Sequence, residues 1–193
     1  MQKNIAVIIG HPDPESYCHA LAHAYIKGAE AGGANVRLLD LAAMKFGPIL
    51  QYGYRKRTEL EPDLVQAREI ISCADHLVWV YPTWWGTMPA LMKGFIDRVF
   101  LPGFAFSSAP DSLVVKKLLK GKTARLLVTM DSPSWYYRLA LRQAGHVLMK
   151  RGILQFSGIR PVRITEISKV KMLSAEKRKH WLEKAESLGA KQA

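Results

Sequence analysis

The stretch HLVWVYPTWWGTMPALMKGFIDRVF, residues 76–100, passes from a strand pattern to a helix pattern through a loop with two adjacent tryptophans. Its first six residues form an apolar run of strand length. A proline stands at each end of the loop, Gly86 allows close approach of the backbone, and Trp84 and Trp85 offer flat surfaces. One tryptophan packing in the core or against a second subunit is one interpretation. Both together in such a loop favour a site for a planar ring.

Four further strand patterns and five helix-length segments surround this stretch. The strand patterns are NIAVIIG (4–10), NVRLLD (35–40), ARLLVTM (124–130) and PVRITEI (161–167). The helical segments are 16–31, 62–73, 89–100, 134–152 and 174–188. Regular alternation of strands and helices predicts one α/β domain over residues 1–193, with a mainly parallel sheet and helices on both faces.

Three loops are candidates for the ligand site, because ligands bind at the carboxyl ends of parallel strands. They are GHPDPES (10–16), YPTWWGTMP (81–89) and TMDSPSWYY (129–137). The first loop contains neither the G-x-G-x-x-G fingerprint nor the P-loop pattern. Ser16 is either a helix cap or a phosphate ligand, and His11 either hydrogen-bonds a ligand or is only a turn residue.

The charge is concentrated in the second part of the chain. Residues 1–113 carry 10 Lys/Arg and 11 Asp/Glu, whereas residues 114–193 carry 18 and 5, and the net charge is +12. This basic part attracts nucleic acid, anionic lipid or a phosphorylated small molecule, or it simply forms solvated helix faces. The long irregular stretch 41–61 exceeds an ordinary connection and is expected to border the site or a partner.

No apolar run is long enough to span a membrane, since prolines and glycine interrupt the region near the tryptophans. The run Ile5 to Ile9 is too short for the core of a signal peptide, so a cytoplasmic protein is expected. Cys18 and Cys73 have neither metal-ligand spacing nor disulfide density, and reduced thiols are predicted.

The chain resembles the flavodoxin-like NAD(P)H:quinone oxidoreductases, including their bacterial subgroup, over nearly its whole length. The resemblance rests on YPTWWGTMPALMKGFIDRVFLPGFAF (81–106), GHPDPESYCHAL (10–21) and RGILQFSGIRPV (151–162). Its most specific element is the pattern formed by Pro82, Trp85, Pro89, Lys93, Gly94, Asp97, Arg98, Val99 and Phe100. It implies a flavodoxin-like five-stranded parallel sheet in three α/β/α layers, a tightly held flavin and a homodimer with active sites at the subunit interface.

The resemblance also implies the roles of particular residues. The flavin phosphate and ribityl chain would contact His11, Ser16, Tyr17, Cys18 and Ala20. The isoalloxazine would be lined by Pro82, Thr83, Trp84, Trp85 and Gly86, and its other edge would be closed by Thr129, Met130, Asp131 and Ser132. Tyr137, or its neighbour Tyr136, would lie over the substrate and donate a proton, with His146 a distant second candidate. No metal is implied.

Two departures from the family pattern affect substrate preference and the choice of proton donor. Cys18 stands where many relatives have Asn, and TMDSP (129–133) replaces a Thr-Thr-Gly-Gly loop. The implied reaction is two-electron, ping-pong hydride transfer from NAD(P)H through the flavin to a quinone-type acceptor. FAD is favoured over FMN because the stretch Pro102 to Phe106 resembles that of relatives that use FAD. NADH and NADPH are not distinguished.

Other classes of function remain as alternatives. An azo- or nitroaromatic reductase would use the same stacking site. Some relatives serve as ancillary subunits of potassium-efflux systems, which would place the chain peripherally at a membrane. An electron-carrier flavodoxin tends to be acidic, which the net charge of +12 opposes. No DNA- or RNA-reading motif is present, so no nucleic-acid partner is expected.

Overall fold

The computed structural model of the chain describes residues 2–108 and 114–192. Seven strands are β1 (Asn4–Ile9), β2 (Asn35–Asp40), β3 (His76–Pro82), β4 (Phe106–Ser108), β5 (Val115–Lys117), β6 (Thr123–Thr129) and β7 (Val162–Ile167). The α-helices are α1 (Tyr17–Ala31), α2 (Pro62–Cys73), α3 (Ala90–Val99), α4 (Ser134–Leu139), α5 (Ala144–Val147) and α6 (Ala175–Ala190). A π-helical segment, Leu148–Gln155, continues α5, and a short 3-10 turn spans Val170–Met172.

Five strands form one parallel sheet in the order β2-β1-β3-β6-β7, while β4 and β5 form a separate antiparallel pair. The five long strands are those predicted from the sequence, and each boundary lies within one residue of the expected one. Strand order reverses between β1 and β3, so the loops that follow these two strands diverge and leave a crevice at the carboxyl edge.

The two faces of the sheet bury different helices. On β1, Ala6 and Ile8 belong to the core that contains α2, α3 and the π-helical segment, whereas Ile5, Val7 and Ile9 pack with α1 and α6. This alternation follows from the period of two along a strand. The result is the predicted three-layer α/β/α flavodoxin-like arrangement.

The segment 134–152, expected to be one helix, is broken, and that expectation was wrong. Arg142 and Gln143 both have positive φ, 48° and 53°, which ends the helical path between α4 and α5. Gly145 then lies so close to Gly86 that an added Cβ would be 2.7 Å from the Gly86 carbonyl oxygen. The chain therefore turns back at this point to pack against the loop that follows β3.

The irregular stretch 41–61 is fixed to α3 by two residues of the family pattern. The Arg98 guanidinium, which is buried, donates to the carbonyls of Gly47 and Glu59 and pairs with Glu61 at 2.7 Å. A Cβ added to Gly94 would be 2.4 Å from Cβ of Pro48. The pattern that carries the resemblance is thus partly structural.

Both cysteines are free thiols, as predicted. In the ranges 2–108 and 114–192, no helix combines the length and apolarity that crossing a membrane requires.

Candidate functional site

Three loops meet at the carboxyl edge of the sheet: residues 10–16 after β1, 83–89 after β3, and 130–133 after β6. Hydrogen bonds continue the sheet beyond the strand ends. The Gly10 amide donates to the Val80 carbonyl at 2.8 Å, and the Thr83 amide donates to the Thr129 carbonyl at 2.7 Å. The predicted site loops are therefore held side by side by backbone geometry.

The first loop is a self-bonded turn that leads into α1. His11 Nδ1 accepts from the Asp13 amide at 3.0 Å, and the Asp13 carbonyl accepts from the Ser16 amide at 3.2 Å. Ser16 is the N-cap of α1, one of the two roles considered for it, and its side chain accepts from the His19 amide at 3.4 Å. The amides of Tyr17 and Cys18 have no acceptor in the described part of the chain. Free amides at the start of a 15-residue helix suit an anion.

Tyr17 and Cys18 use their side chains within the protein, and Ala20 is exposed. The Tyr17 hydroxyl donates to the Arg178 carbonyl at 2.8 Å, and the Arg178 guanidinium lies 5.3 Å from the Tyr17 ring centre. Cys18 is buried, with its Sγ 3.3 Å from Oγ1 of Thr129. Burial raises the pKa of the Cys18 thiol to about 11, so the thiol is neutral and ties α1 to the end of β6.

The loop after β3 presents its tryptophans outward. Trp84 and Thr87 exchange two backbone hydrogen bonds of 2.8 and 3.0 Å, which closes a tight turn with Trp85 and Gly86 at its tip. Both tip residues have positive φ, 49° and 77°. The Trp85 side chain has a relative exposure of 103%, and within the described residues neither tip amide has an acceptor. The Trp84 ring meets the His11 ring edge-on at 5.4 Å, and burial lowers the pKa of His11.

The remaining residues of this loop and of the loop after β6 differ in exposure. Pro82, Thr129 and Met130 are buried, while Thr83 and Ser132 are half-buried. The side chain of Met130 lies in the core, and only its backbone faces the edge. The exposed carboxylate of Asp131 accepts from the Lys171 amide at 3.1 Å and pairs with Lys171 Nζ at 3.0 Å. Across the ranges that the structure describes, the amides of Asp131 and Ser132 have no acceptor.

The two tyrosines predicted to act on the substrate have different surroundings. Tyr137 is 1% exposed, and its hydroxyl donates to the Gly86 carbonyl and accepts from the Gly145 amide, both at 3.0 Å. Burial raises the pKa of Tyr137. Tyr136 is 43% exposed, and its ring contacts Trp135 edge-on at 6.0 Å. Tyr137 thus lies beneath the tip of the β3 loop, whereas Tyr136 lies at the surface.

Polar groups that the sequence reasoning missed lie below the same loop. The Tyr81 hydroxyl and the Thr87 hydroxyl are buried and have no hydrogen-bond partner within the described residues. His146, named from the sequence as a distant second candidate for the proton donor, is also buried, with its Nδ1 3.6 Å from Oε2 of Glu166 on β7. Burial lowers the pKa of His146. Tyr81 and Glu166 stand near the carboxyl ends of strands, so strand position was the signal that could have found them.

Sequence reasoning also missed a chain of hydrogen bonds behind Ser16. The His19 ring is buried, with Nδ1 2.9 Å from Oγ of Ser16 and Nε2 3.3 Å from Oδ2 of Asp40. Asp40 is the last residue of β2, and His19 lies about one turn beyond Ser16 on α1. Strand ends and helix period together could have indicated this arrangement.

A flat ligand that carries a phosphate fits this edge. Unpaired amides on three loops supply donors, and Trp85 supplies an exposed flat surface. The buried hydroxyls of Tyr81 and Thr87 have no hydrogen-bond partner within the described residues. A groove of about 410 Å³ runs beside Trp84 and Trp85 toward Leu148. A larger cavity, about 1200 Å³, lies instead between residues 50–60 and α2, and no predicted site residue lines it. Its size does not outweigh the chemistry at the sheet edge.

Comparisons with known proteins agree with this geometry. A family model described as flavodoxin-like fold matches residues 3–190. An uncharacterized NAD(P)H oxidoreductase of Haemophilus influenzae is 28% identical over 187 residues, which cover 94% of this chain and 92% of that protein. NAD(P)H dehydrogenase [quinone] 1 of Cavia porcellus is 29% identical over 153 residues, which cover 69% of this chain and 55% of that longer protein. The crystal structure of Smu.1420 from Streptococcus mutans has a TM-score of 0.83 and 30% identity, covering 97% of this chain and 98% of that one.

Proposed function

Since the chain belongs to the flavodoxin-like fold family, we propose that it is a flavin-dependent NAD(P)H:quinone oxidoreductase. The observation that carries this proposal is the tip of the β3 loop, where Trp85 is fully exposed beside unpaired amides at the ligand-binding edge of the sheet. Both an NAD(P)H oxidoreductase and a quinone dehydrogenase are among the relatives that the chain resembles.

A bound flavin would lie across the three loops. Ser16 and the free amides of Tyr17 and Cys18 would hold its phosphate, and the loops 83–86 and 129–132 would hold its ring. It would supply two-electron redox chemistry between NAD(P)H and a quinone. FAD is the proposed form and FMN the alternative, which chromatography of the flavin released by heat would decide.

The protein contributes position and electrostatics. Trp85 offers a flat surface beside the ring position, and the amides of Asp131 and Ser132 would be free to donate to a ring edge where negative charge develops. The Asp131 carboxylate, which would oppose that charge, is neutralised by its pairing with Lys171.

Formation of the hydroquinone product requires a proton donor, and the two tyrosines have different roles, one structural and one as the donor. The hydroxyl of Tyr137 already donates to Gly86, so Tyr137 holds the tip of the β3 loop in place. Tyr136 is exposed and its hydroxyl makes no hydrogen bond within the described residues, so it is the group free to donate.

We infer in the same way that the chain forms a homodimer. The groove beside Trp84 and Trp85 shares Lys93 and Leu148 with a second groove of about 330 Å³. Apolar residues of the second groove include Ile96, Phe100, Phe106, Ile153 and Phe156. The two grooves form a largely apolar face next to the site, which the Lys93–Asp97 ion pair crosses. This face suits a second copy of the chain, which would close the site from outside.

An anaerobic spectral titration tests the proposed activity. The purified protein is expected to absorb at flavin wavelengths, to bleach on addition of NADH or NADPH, and to recover its colour when a quinone is added. Recovery with an azo dye or a nitroaromatic compound would widen the range of acceptors. A colourless protein that takes up neither FAD nor FMN would contradict the proposal.

A further inference from the structure

Behind the proposed phosphate position, three side chains form a line from β2 to the start of α1. Oδ2 of Asp40 is 3.3 Å from Nε2 of His19, and Nδ1 of His19 is 2.9 Å from Oγ of Ser16. Asp40 is itself fixed, because its Oδ1 accepts from the Ala42 amide at 3.1 Å. His19 is 4% exposed, so it reaches a ligand only through Ser16.

The surroundings of Ser16 contain little positive charge for a phosphate. Residues 10–22 include Asp13 and Glu15 but no Lys or Arg. The Arg178 guanidinium, above the Tyr17 ring, already donates to the carbonyls of Leu173 and Val170. His11 also faces this region, and burial disfavours its charged form by lowering its pKa. A phosphate at Ser16 therefore needs another source of protons or charge.

The line of hydrogen bonds has two arrangements in which Nε2 of His19 donates to the Asp40 carboxylate; a ring with hydrogen on Nδ1 alone would turn the Nε2 lone pair toward that carboxylate. In one, the Ser16 hydroxyl donates to Nδ1 of a neutral His19, and its hydrogen is unavailable to a ligand. In the other, both ring nitrogens carry hydrogens, Nε2 donating to Asp40 and Nδ1 donating to Ser16. The Ser16 hydroxyl is then free to donate to an anion. Only the second arrangement matches a phosphate acceptor, and it places a cation between two anions.

We propose that His19, held by Asp40, is a positioning residue that aims the Ser16 hydroxyl at the flavin phosphate and takes up a proton when the phosphate binds. The inference rests on the proposed flavin function. It adds a specific route by which the chain distinguishes a phosphorylated flavin from an unphosphorylated one.

Riboflavin and FMN differ by one phosphate, so a comparison of their affinities isolates the contribution of the phosphate contacts. Flavin-free full-length protein is titrated with each, and binding is followed by quenching of flavin fluorescence. His19→Leu is expected to weaken FMN binding by at least about tenfold, while riboflavin binding changes by less than about twofold. His23→Leu, an exposed position one turn further along α1, is the matched control and should change neither affinity.

A double-mutant cycle and a proton count complete the test. The Ser16→Ala, His19→Leu double variant should bind FMN no more weakly than Ser16→Ala alone, because His19 acts only through Ser16. At pH 8, where the FMN phosphate is dianionic, calorimetry in two buffers of different ionisation enthalpy should show about one proton taken up with FMN and none with riboflavin. His19→Phe, which fills the ring position without a hydrogen-bonding atom, replaces His19→Leu if that variant does not fold.

Results that contradict the inference alone differ from results that also contradict the proposed function. Equal weakening of FMN and riboflavin would make His19 a structural residue and overturn the inference while leaving the proposed function standing. Unchanged FMN affinity in the His19 variant that folds would also overturn it. A wild-type protein that binds none of riboflavin, FMN and FAD would overturn the inference and the proposed function together.

Discussion

Trp85 has two features that do not stabilise the folded chain. Its side chain is fully exposed, and its backbone has a φ of 49°, a region that bulky residues rarely adopt. Exposed, strained residues persist where the surrounding structure holds them, as the paired bonds of Trp84 and Thr87 do here, and they cluster at binding sites. At the scale of the residue, this is the clearest sign of a ligand-facing role.

Trp85→Ala is accordingly expected to lower flavin occupancy or turnover without weakening the fold. Since nothing packs on the side chain, the free energy of unfolding of the flavin-free protein should change by less than about 0.5 kcal/mol. Trp79→Ala, a fully buried control, should lose about 3–5 kcal/mol. Flavin content and urea unfolding measure the two effects. Unchanged flavin content and turnover in Trp85→Ala would refute the ring-site interpretation.

Tyr136 and Tyr137 should separate activity from stability. Tyr137→Phe leaves the Gly86 carbonyl and the Gly145 amide without this hydroxyl and should reduce the free energy of unfolding by about 1–3 kcal/mol. Tyr136→Phe should leave stability unchanged and lower the rate of quinone reduction, since it removes the free donor. Stopped-flow kinetics with each variant are the measurement. A full rate in Tyr136→Phe, with a slow proton-dependent step in Tyr137→Phe, would assign the donor to Tyr137.

At the scale of the element, the sequence predicted the sheet directly, whereas several contacts around the candidate site could not be predicted from it. Short apolar runs such as 76–81 reveal buried parallel strands directly, and Ser16 was recognisable as a helix cap. The break between α4 and α5 was not readable, because neither Arg142 nor Gln143 is a residue type that predicts positive φ. Likewise, no pattern indicates that Cys18 would be engaged by Thr129, a partner 111 positions away. Such pairings depend on tertiary packing, which local periodicity does not encode.

The junction between α3 and the stretch 41–61 is sensitive to one methyl group. Gly94→Ala places a Cβ against Pro48 and should reduce the free energy of unfolding by about 1–3 kcal/mol through overpacking. Gly152→Ala is a matched control, because its Cβ would meet only the flexible end of Leu148 at 3.3 Å. Urea unfolding compares them. Equal stability of the two variants would mean that the stretch 41–61 moves away at little cost.

The first residue of β3 makes stability depend on pH. His76 is buried with its Nδ1 2.6 Å from Thr123 Oγ1, and burial, followed by the positive charges of Lys3, Arg125 and Arg163, lowers its pKa to about 3. Between about pH 6.5 and 3, His76 is therefore protonated in the unfolded chain and neutral in the folded chain. Stability should fall with acidification across this window by up to about 1.4 kcal/mol per pH unit from this group.

Urea unfolding at pH 7 and at pH 4.5 measures that slope. His76→Gln removes the titrating group and should flatten the pH dependence relative to the wild type, whereas the exposed control His180→Gln should retain it. An identical slope in wild type and His76→Gln would contradict the assignment.

At the scale of the whole molecule, the apolar face and the basic charge suit different binding partners. The two grooves that share Leu148 suit a second copy, while the positive charge of residues 114–193 suits the phosphates of NAD(P)H. The charge follows directly from the sequence. The face does not, because its residues come from α3, the β4 strand and the π-helical segment, which meet only in the folded chain.

Leu148→Glu tests the homodimer. A carboxylate at this shared position should convert the protein to a monomer in light scattering and reduce turnover. Met172→Glu, at a position that is 80% exposed and lines neither groove, should remain dimeric. A monomeric wild type would exclude the homodimer, and a dimeric Leu148→Glu would place its interface elsewhere.

The backbone bonds that continue the sheet past its strands also make this edge suitable for redesign. Gly10 bonds to Val80, Thr83 to Thr129, and Met130 to Ile167 through main-chain atoms alone, so the bases of the loops are held independently of the side chains at their tips. A library that randomises Trp84, Asp131 and Ser132 would therefore alter recognition while leaving the hydrophobic layers untouched. The main-chain bonds fix the frame of the site, so we expect changes at these exposed positions to alter acceptor preference more than stability.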